Sequence, residues 1–339
     1  MNEANQGNPQ LQVRDLALGF VVSRALQVAA ELGIADELAC EAKDCEALAA
    51  RTGSHAPTLR RILRLLASYE VFTQLPDGRY ANTAMSDCLR ESVSGSLRGI
   101  ARMYGDAPMW RAWEELLHSA RTGDPGFLHM HGVPLFDYLE AHPYSAQRFD
   151  EAMSGVSGLM NTALVDAYDW GQFRTLVDIG GGSGSTLAAI LEANPNVSGI
   201  LFDRDHVIER GQELLAQRGL SDRCRTHVGS FFDAVPTGAD GYFMKHILHD
   251  WTDEDCLRIL HACHRAMPDN ARLLVCEKVI VSGNDRQFGK LTDLVMLAMT
   301  DGGRERTETE FRDLLAAVSF HLVRIVPTRS DNALLEVMK

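Results

Sequence analysis

Several large protein classes are excluded by what this chain lacks. No stretch of its 339 residues approaches the ~20 consecutive apolar residues of a membrane-spanning helix, so no membrane partner is expected. Residues Met1 to Gln10 have neither the basic start nor the apolar centre of a secretory leader, which leaves a cytoplasmic location as the expectation. Positive charge is short: 33 Lys and Arg stand against 46 Asp and Glu, a formal net charge of −13. That balance opposes the field a nucleic-acid backbone demands, and no nucleic-acid partner is expected. The seven cysteines are an odd number and include no C-x-x-C pair, so reduced, mostly buried thiols are expected instead of a disulfide framework. In the densest His/Cys run, His261, Cys263 and His264 would fan around a helix, and no metal is expected. Internal repeats and low-complexity segments are absent as well.

What is present divides into two patterns, as the length of the chain allows. From Leu11 to about Tyr168 apolar residues recur at helical spacing, as in Leu16, Phe20, Leu26, Ala29, Leu32 and Ile34. Within this half, DCEALAARTGSHAPTLRRILRLLASYEVFTQLPDGRYANT predicts helix, turn, helix and two short strands about Pro76-Asp77-Gly78, a winged-helix pattern. Arg60, Arg61 and Arg64 on its second helix would serve a DNA reader, but the leucines between them make a packing surface. After Asp169 strands alternate with helices: TLVDIG, Ser185 to Glu192, GILFD, Val207 to Arg218, then CRTHVG, GYFMKHIL and ARLLVCEKVI. This alternation predicts a doubly wound α/β domain with a parallel sheet. HLVRIVPT and NALLEVMK are joined too briefly for a parallel crossover and should close the chain as an antiparallel hairpin.

The first strand of that domain runs into LVDIGGGSGST, where bare backbone lets a ligand approach at the carboxyl end of the sheet. The lysine of a phosphate-cradling loop is missing after Gly184, and Ser185 stands where a dinucleotide fingerprint needs its third glycine. Asp203 ends the next strand, where a carboxylate can bind the hydroxyls of an adenosine ribose. Adenosine is therefore favoured over pyrophosphate. His249 falls at the carboxyl end of the fourth strand, where such a sheet presents catalytic groups, and an imidazole that titrates near neutrality makes it the candidate general base. Asp250 is expected to serve the site edge or the start of the next helix, and His246, three residues before His249 on a strand, to point to the opposite face.

The segments LVDIGGGSG, FDRDHVIE, KHILHDWTDEDCLRIL, CEKVI and GGRERTETEF, taken in order, resemble class I S-adenosylmethionine-dependent small-molecule O-methyltransferases of plants and bacteria over nearly the whole chain. The HDW and GGRERTETEF blocks are specific to that group, whereas a GxGxG loop marks the far broader class. RMYGDAPMWRAWEELLHSARTGDPGF is most similar to bacterial enzymes that modify phenazines and other polycyclic antibiotics. The resemblance implies a Rossmann-like methyltransferase sheet behind a mainly α-helical winged-helix dimerisation domain. It divides the chain at 1–100 (homodimer-forming), 101–168 (a helical connector at the substrate pocket) and 169–339 (cofactor binding and catalysis).

The implied cofactor is S-adenosylmethionine, held by Gly180, Gly182, Gly184, Asp203 and Lys245, with Ser157 and Met153 closing the other side. Ser230 replaces the acid that relatives place on adenine, and Phe231 is expected to compensate by stacking. The implied catalytic set is His249 as base with Glu277 and Glu305 flanking it. The implied acceptor is a small aromatic or polycyclic molecule lying between the domains, among Met160, Val295, Met296, Met299, Thr300, Trp110 and Phe127. Two alternatives are retained: a methyltransferase-fold enzyme turned to decarboxylation or hydroxylation, and a winged-helix DNA-binding regulator.

Overall fold

The computed structural model describes residues 8–339, so residues 1–7 of the expected leaderless start lie outside it. Two compact units emerge: one holds the residues through Trp110 with His142–Val156, the other Arg111–Ala141 with Ser157–Lys339. Among the described residues no helix is long and apolar enough to cross a membrane.

In the first unit, helices Cys45–Thr52 and Ala56–Ser68 are followed by antiparallel strands Phe72–Gln74 and Tyr80–Asn82, as the winged-helix pattern predicts. Asp44 caps the first helix by accepting from Ala47 N at 2.7 Å, and Gly53 ends it in the left-handed conformation that favours glycine. Leu59, Leu63 and Leu66 bury one stripe of the second helix against Ile34, Leu48, Phe72 and Tyr80. Removing a side chain such as Leu63 from that stripe would cost about 2–5 kcal/mol. On its other side Arg60 pairs with Glu46. The long apolar pattern from Leu16 to Ile34 does not form one buried face. The chain breaks at Leu18 between helices Pro9–Ala17 and Gly19–Glu31, and turns again at Gly33, where φ is +64°. Ala29 and Ile34 are buried, whereas Leu16 and Phe20 remain exposed.

The second unit is built on a seven-stranded sheet. Its strands are β1 (Thr175–Ile179), β2 (Ser198–Asp203), β3 (Cys224–Val228), β4 (Gly241–Lys245), β5 (Arg272–Glu277), β6 (His321–Pro327) and β7 (Ala333–Met338). Their spatial order is β6-β7-β5-β4-β1-β2-β3; β1 to β5 run parallel, and the terminal hairpin adds antiparallel to β5, as expected. Alternate residues face opposite sides: Val177, Ile200 and Leu273 enter one core, Leu176, Leu201 and Leu274 the other. Both faces are therefore dry, which is why these strands read as continuous apolar runs. Five of the seven cysteines are buried, and all seven are free thiols.

Two expectations about this sheet change. The fourth strand stops at Lys245 because His246 adopts φ +54°, rare for a residue with a side chain. The backbone then winds into a single 3-10 turn, Leu248–Asp250, which carries His249. The fifth strand likewise ends at Glu277, and Val279–Ile280 pairs separately with Arg306–Thr307.

Candidate active site

The glycine loop follows β1. Gly180, Gly182 and Gly184 all have positive φ (66°, 58° and 72°), the conformations a side chain resists. The space where a Gly182 side chain would project is open for 4 Å. Gly182 N donates to Asp203 Oδ2 at 2.8 Å, so the acid ending β2 braces the loop, while Asp203 Oδ1 accepts from Arg204 N at 2.7 Å. Beneath the loop lies Asp178, whose Oδ2 is buried without a hydrogen-bond partner among the described residues. Burial first, and the Asp203 charge in addition, push its carboxyl up to about 7 against the pull of Lys245.

Lys245 ends β4, and its Nζ donates to Ser157 Oγ at 2.7 Å. Burial holds this ammonium below its usual pKa range. Ser230 Oγ accepts from Phe232 N at 3.3 Å, and an edge of the Phe231 ring approaches Gly180. The sequence-derived loop residues, Asp203, Lys245, Ser157, Ser230 and Phe231 thus all belong to the second unit. Met153 and Trp110 belong to the first, where Arg24 lies over the Trp110 ring at 4.6 Å.

The histidine expected at the end of β4 is buried and ringed by carboxylates. His249 Nδ1 lies 3.3 Å from Glu305 Oε1 and 3.7 Å from Glu277 Oε2, and Nε2 lies 3.5 Å from Asp250 Oδ1. Each acid reaches this point by its own route. Glu277 is the last residue of β5, and its Oε1 accepts from Ile247 N and Leu248 N at 3.0 and 2.9 Å, fixing the 3-10 turn. Glu305 arrives on the GGRERT loop. Gly303 permits that approach, since a Cβ there would stand 2.6 Å from the His249 carbonyl oxygen. Fully buried Arg306 then ties the two loops together, donating to Leu248 O at 2.7 Å, Trp251 O at 3.1 Å and Asp253 Oδ1 at 2.7 Å.

Burial by itself would lower the imidazole pKa, but the Glu277 and Asp250 charges and the Glu305 hydrogen bond outweigh it and raise it to about 9. Burial pushes the Glu277 carboxyl up, whereas the His249 contact holds Glu305 down against its own burial. The donor atoms of His249, Glu277 and Glu305 lie within 4.8 Å of one another, a spacing an ion could bridge. The ammonium of Lys278, however, already stands 3.4 Å from Glu305 Oε1.

Of two neighbours, His246 departs from the expectation, and Asp250 keeps to the site edge and leaves the helix start to another residue. His246 does not point away from His249: their rings stack with centroids 5.1 Å apart, because the left-handed residue ends the strand alternation. His246 Nε2 also meets Asn332 Oδ1 at 3.1 Å, and Asn332 Nδ2 donates to Met160 Sδ at 3.0 Å. Asp250 does not start the next helix; Thr252 caps Asp253–Ala266 by accepting from Asp255 N, and Asp250 faces the imidazole. His261 is exposed and Cys263 buried, so that run does not converge. Lys278, Asn332 and Asp178 escaped the sequence reading. The signal for Lys278 was an uninterrupted Glu-Lys at the end of an apolar strand, and for Asp178 an acid inside one.

The expected acceptor residues Val295, Met299 and Thr300 are buried on or just after helix Phe288–Met299, with Met296 half-buried and Met160 buried on helix Pro143–Ala167. Phe127 is fully buried, its ring edge-on to Tyr138. Beside Glu305 a cavity of about 420 Å³ opens between Ile280, Asp293, Leu297, Thr300 and Arg304.

A glycine-braced loop at the switch of a seven-stranded sheet ending in an antiparallel hairpin, with a histidine held by acids from two other loops, defines a methyltransferase-type catalytic unit. The chain belongs to the O-methyltransferase family: residues 113–321 match its O-methyltransferase domain and residues 14–92 its dimerisation domain. It is 43% identical to the phenazine O-methyltransferase PhzM of Lysobacter antibioticus, over 94% of this chain and 93% of that one. The solved structure of the mitomycin 7-O-methyltransferase MmcR superposes with a TM-score of 0.90 at 38% identity, covering 100% of both chains. NcsB1, an O-methyltransferase from neocarzinostatin biosynthesis solved with S-adenosylmethionine and 2-hydroxy-5-methyl naphthoic acid, gives a TM-score of 0.78 at 33% identity over 93% of this chain and 95% of that one.

Proposed function

We propose that this O-methyltransferase takes its methyl group from S-adenosylmethionine and places it on a hydroxyl of an aromatic or polycyclic metabolite, with His249 as general base. The observation that carries the reading is the His249 ring held at Nδ1 by Glu305 and Glu277, two residues on from Ile247, whose side chain lies against Gly180 of the braced loop. The cofactor fits the residues present. Backbone at Gly180, Gly182 and Gly184 is bare where an amino-acid tail would lie, and Asp203 places a carboxylate at the end of β2, beside that backbone, to meet the ribose hydroxyls. Ser230, Phe231, Lys245 and Ser157 border the same loop and strand ends, and are proposed to hold the remainder. When bound, S-adenosylmethionine supplies a methyl group on a sulfonium, a leaving group that needs no acid.

The protein's task is then to position the acceptor and remove its proton. With Nδ1–H donated to Glu305, the neutral imidazole carries its lone pair on Nε2, which is the atom that accepts the hydroxyl proton. The resulting imidazolium is stabilised by Glu277 and Glu305, which remain carboxylates. Met160, Val295, Met296, Met299 and Thr300 are proposed to shape the acceptor pocket, since thioethers adapt to flat ring systems. A hydroxyphenazine is the acceptor proposed first.

The working enzyme is proposed to be a homodimer formed through the dimerisation region. Its support is the row of exposed apolar side chains at Val13, Leu16, Leu18, Phe20 and Val21. Incubation with methyl-labelled S-adenosylmethionine and a panel of hydroxylated aromatics, phenazines included, tests the reading. Label should appear on an acceptor oxygen. Label on no acceptor, together with no cofactor binding by calorimetry, would overturn it.

A further inference from the structure

We propose that Lys278 is a positioning residue that sets the proton affinity of the base: its ammonium shares Glu305 Oε1 with the His249 ring and weakens that carboxylate's hold on the protonated imidazole. This inference rests on His249 acting as base. The geometry is specific. Glu305 Oε1 lies 3.3 Å from His249 Nδ1 and 3.4 Å from Lys278 Nζ, and the Lys278 side chain is only 6% exposed. One oxygen atom therefore answers to an ammonium and to the imidazole, which is a second cation once protonated, in a site where charges are weakly screened.

The surrounding charges show why a lysine is needed. From the turn after β4, Asp250 faces Nε2; from the end of β5, Glu277 faces Nδ1; from the GGRERT loop comes Glu305. Three carboxylates around one imidazole hold its proton firmly, and each acid left without a counter-charge raises the pH at which the base is set free. The other nearby groups do not relieve this. Lys245 donates to Ser157, and His246 is kept neutral by burial and by Lys278 itself. Arg306 is spent on backbone carbonyls and Asp253, and Asp293 accepts from the Glu305 backbone N–H, adding a further acid. Cys276, buried behind Glu277, is held as a neutral thiol. Lys278 is thus the counter-charge set against Glu305, and it lowers the pull of that acid on the imidazole without touching the ring.

The test is the pH dependence of kcat/KM for the full-length enzyme with a hydroxylated aromatic acceptor, in wild type, Lys278→Gln and Lys278→Arg. Lys278→Gln should move the acid limb upward by about one pH unit, the differential effect of losing one close charge in a partly screened site. Cofactor affinity should stay the same, and Lys278→Arg should keep the wild-type limb. A Lys278→Gln profile that superposes on wild type, or an arginine variant displaced as far as the glutamine one, overturns the inference. Should Lys278→Gln fail to fold, Glu305→Gln is compared with the double variant Lys278→Gln/Glu305→Gln, which leaves no carboxylate unpaired at this position. Glu305→Gln should lower the limb and the double variant should match it, because a lysine acting through Glu305 has nothing left to offset; an upward displacement in the double variant, or a Glu305→Gln limb left at the wild-type position, overturns the inference. A wild-type profile without an acid limb would sink the base assignment itself, whereas a wild-type limb left in place by Lys278→Gln sinks only this inference.

Discussion

The two ends of the catalytic unit are built on opposite principles. At the carboxyl end of β1 the chain removes side chains: three glycines in left-handed conformations expose backbone, and one carboxylate, Asp203, braces it. At the ends of β4 and β5 it concentrates them, bringing a buried imidazole, two buried acids, the half-buried Asp250 and a buried lysine within a few ångströms. The first arrangement suits a ligand recognised by shape and by backbone hydrogen bonds. The second suits proton transfer, because a buried charge has nowhere to go except along its partners. Binding and chemistry should therefore be separable by mutation, although both sit on one sheet.

The largest expected effect falls on the second end. His249→Asn should lower kcat by a factor of about 10² or more while leaving the cofactor dissociation constant unchanged, as single-turnover assays and calorimetry would show. Equal losses in both quantities would erase the distinction between the two ends. Next comes pH. With the imidazole raised to about 9, the rate should climb roughly tenfold per pH unit towards that value and then level off. Stability runs the other way. A histidine whose folded pKa exceeds its unfolded ~6.5 contributes stability fully below that value and loses it as pH rises through the folded one, so thermal melts should weaken above neutrality as the rate grows.

A third variant reverses the signature. Gly180→Val places a β-branched residue at φ +66°, with its Cβ against the Ile247 side chain. Strain of about 1–3 kcal/mol should weaken cofactor binding by about tenfold or more without moving the acid limb of the pH profile. A displaced limb would mean that the loop and the base are coupled through Ile247.

The same contrast explains what could be read from sequence. The glycine end was legible because local backbone conformation is written locally: four glycines within five residues can serve few other purposes. The terminal hairpin and the winged helix were legible for the same reason, from short links and turn residues. The histidine end depends on residues 249, 277 and 305 converging across the sheet, which no spacing rule predicts; only the likeness of whole segments brought them together. His246 departs from the strand rule because alternation does not run on to His249: the strand ends at Lys245, and the left-handed φ of His246 turns the chain into the Leu248–Asp250 turn. Lys278 was passed over because a lysine is normally solvated, and its burial becomes visible only when Glu305 is seen against it.

The smallest expected effect sharpens the comparison by asking how stiff the loop carrying Glu305 must be. Two residues beyond that acid, Thr307 caps helix Glu308–Ala316. Its hydroxyl accepts from Glu310 N at 3.3 Å, while Glu310 Oε2 accepts from Thr307 N at 2.8 Å, a reciprocal pair that fixes the exit of the GGRERT segment. Thr307→Ala should cost about 1 kcal/mol of stability, readable as a lowered denaturation midpoint. Arg306 independently anchors the segment to Leu248, Trp251 and Asp253, so Glu305 should keep its place and kcat should change no more than the stability loss requires. A fall in kcat approaching that of His249→Asn would show that the acid end depends on its loop as heavily as the glycine end depends on its backbone.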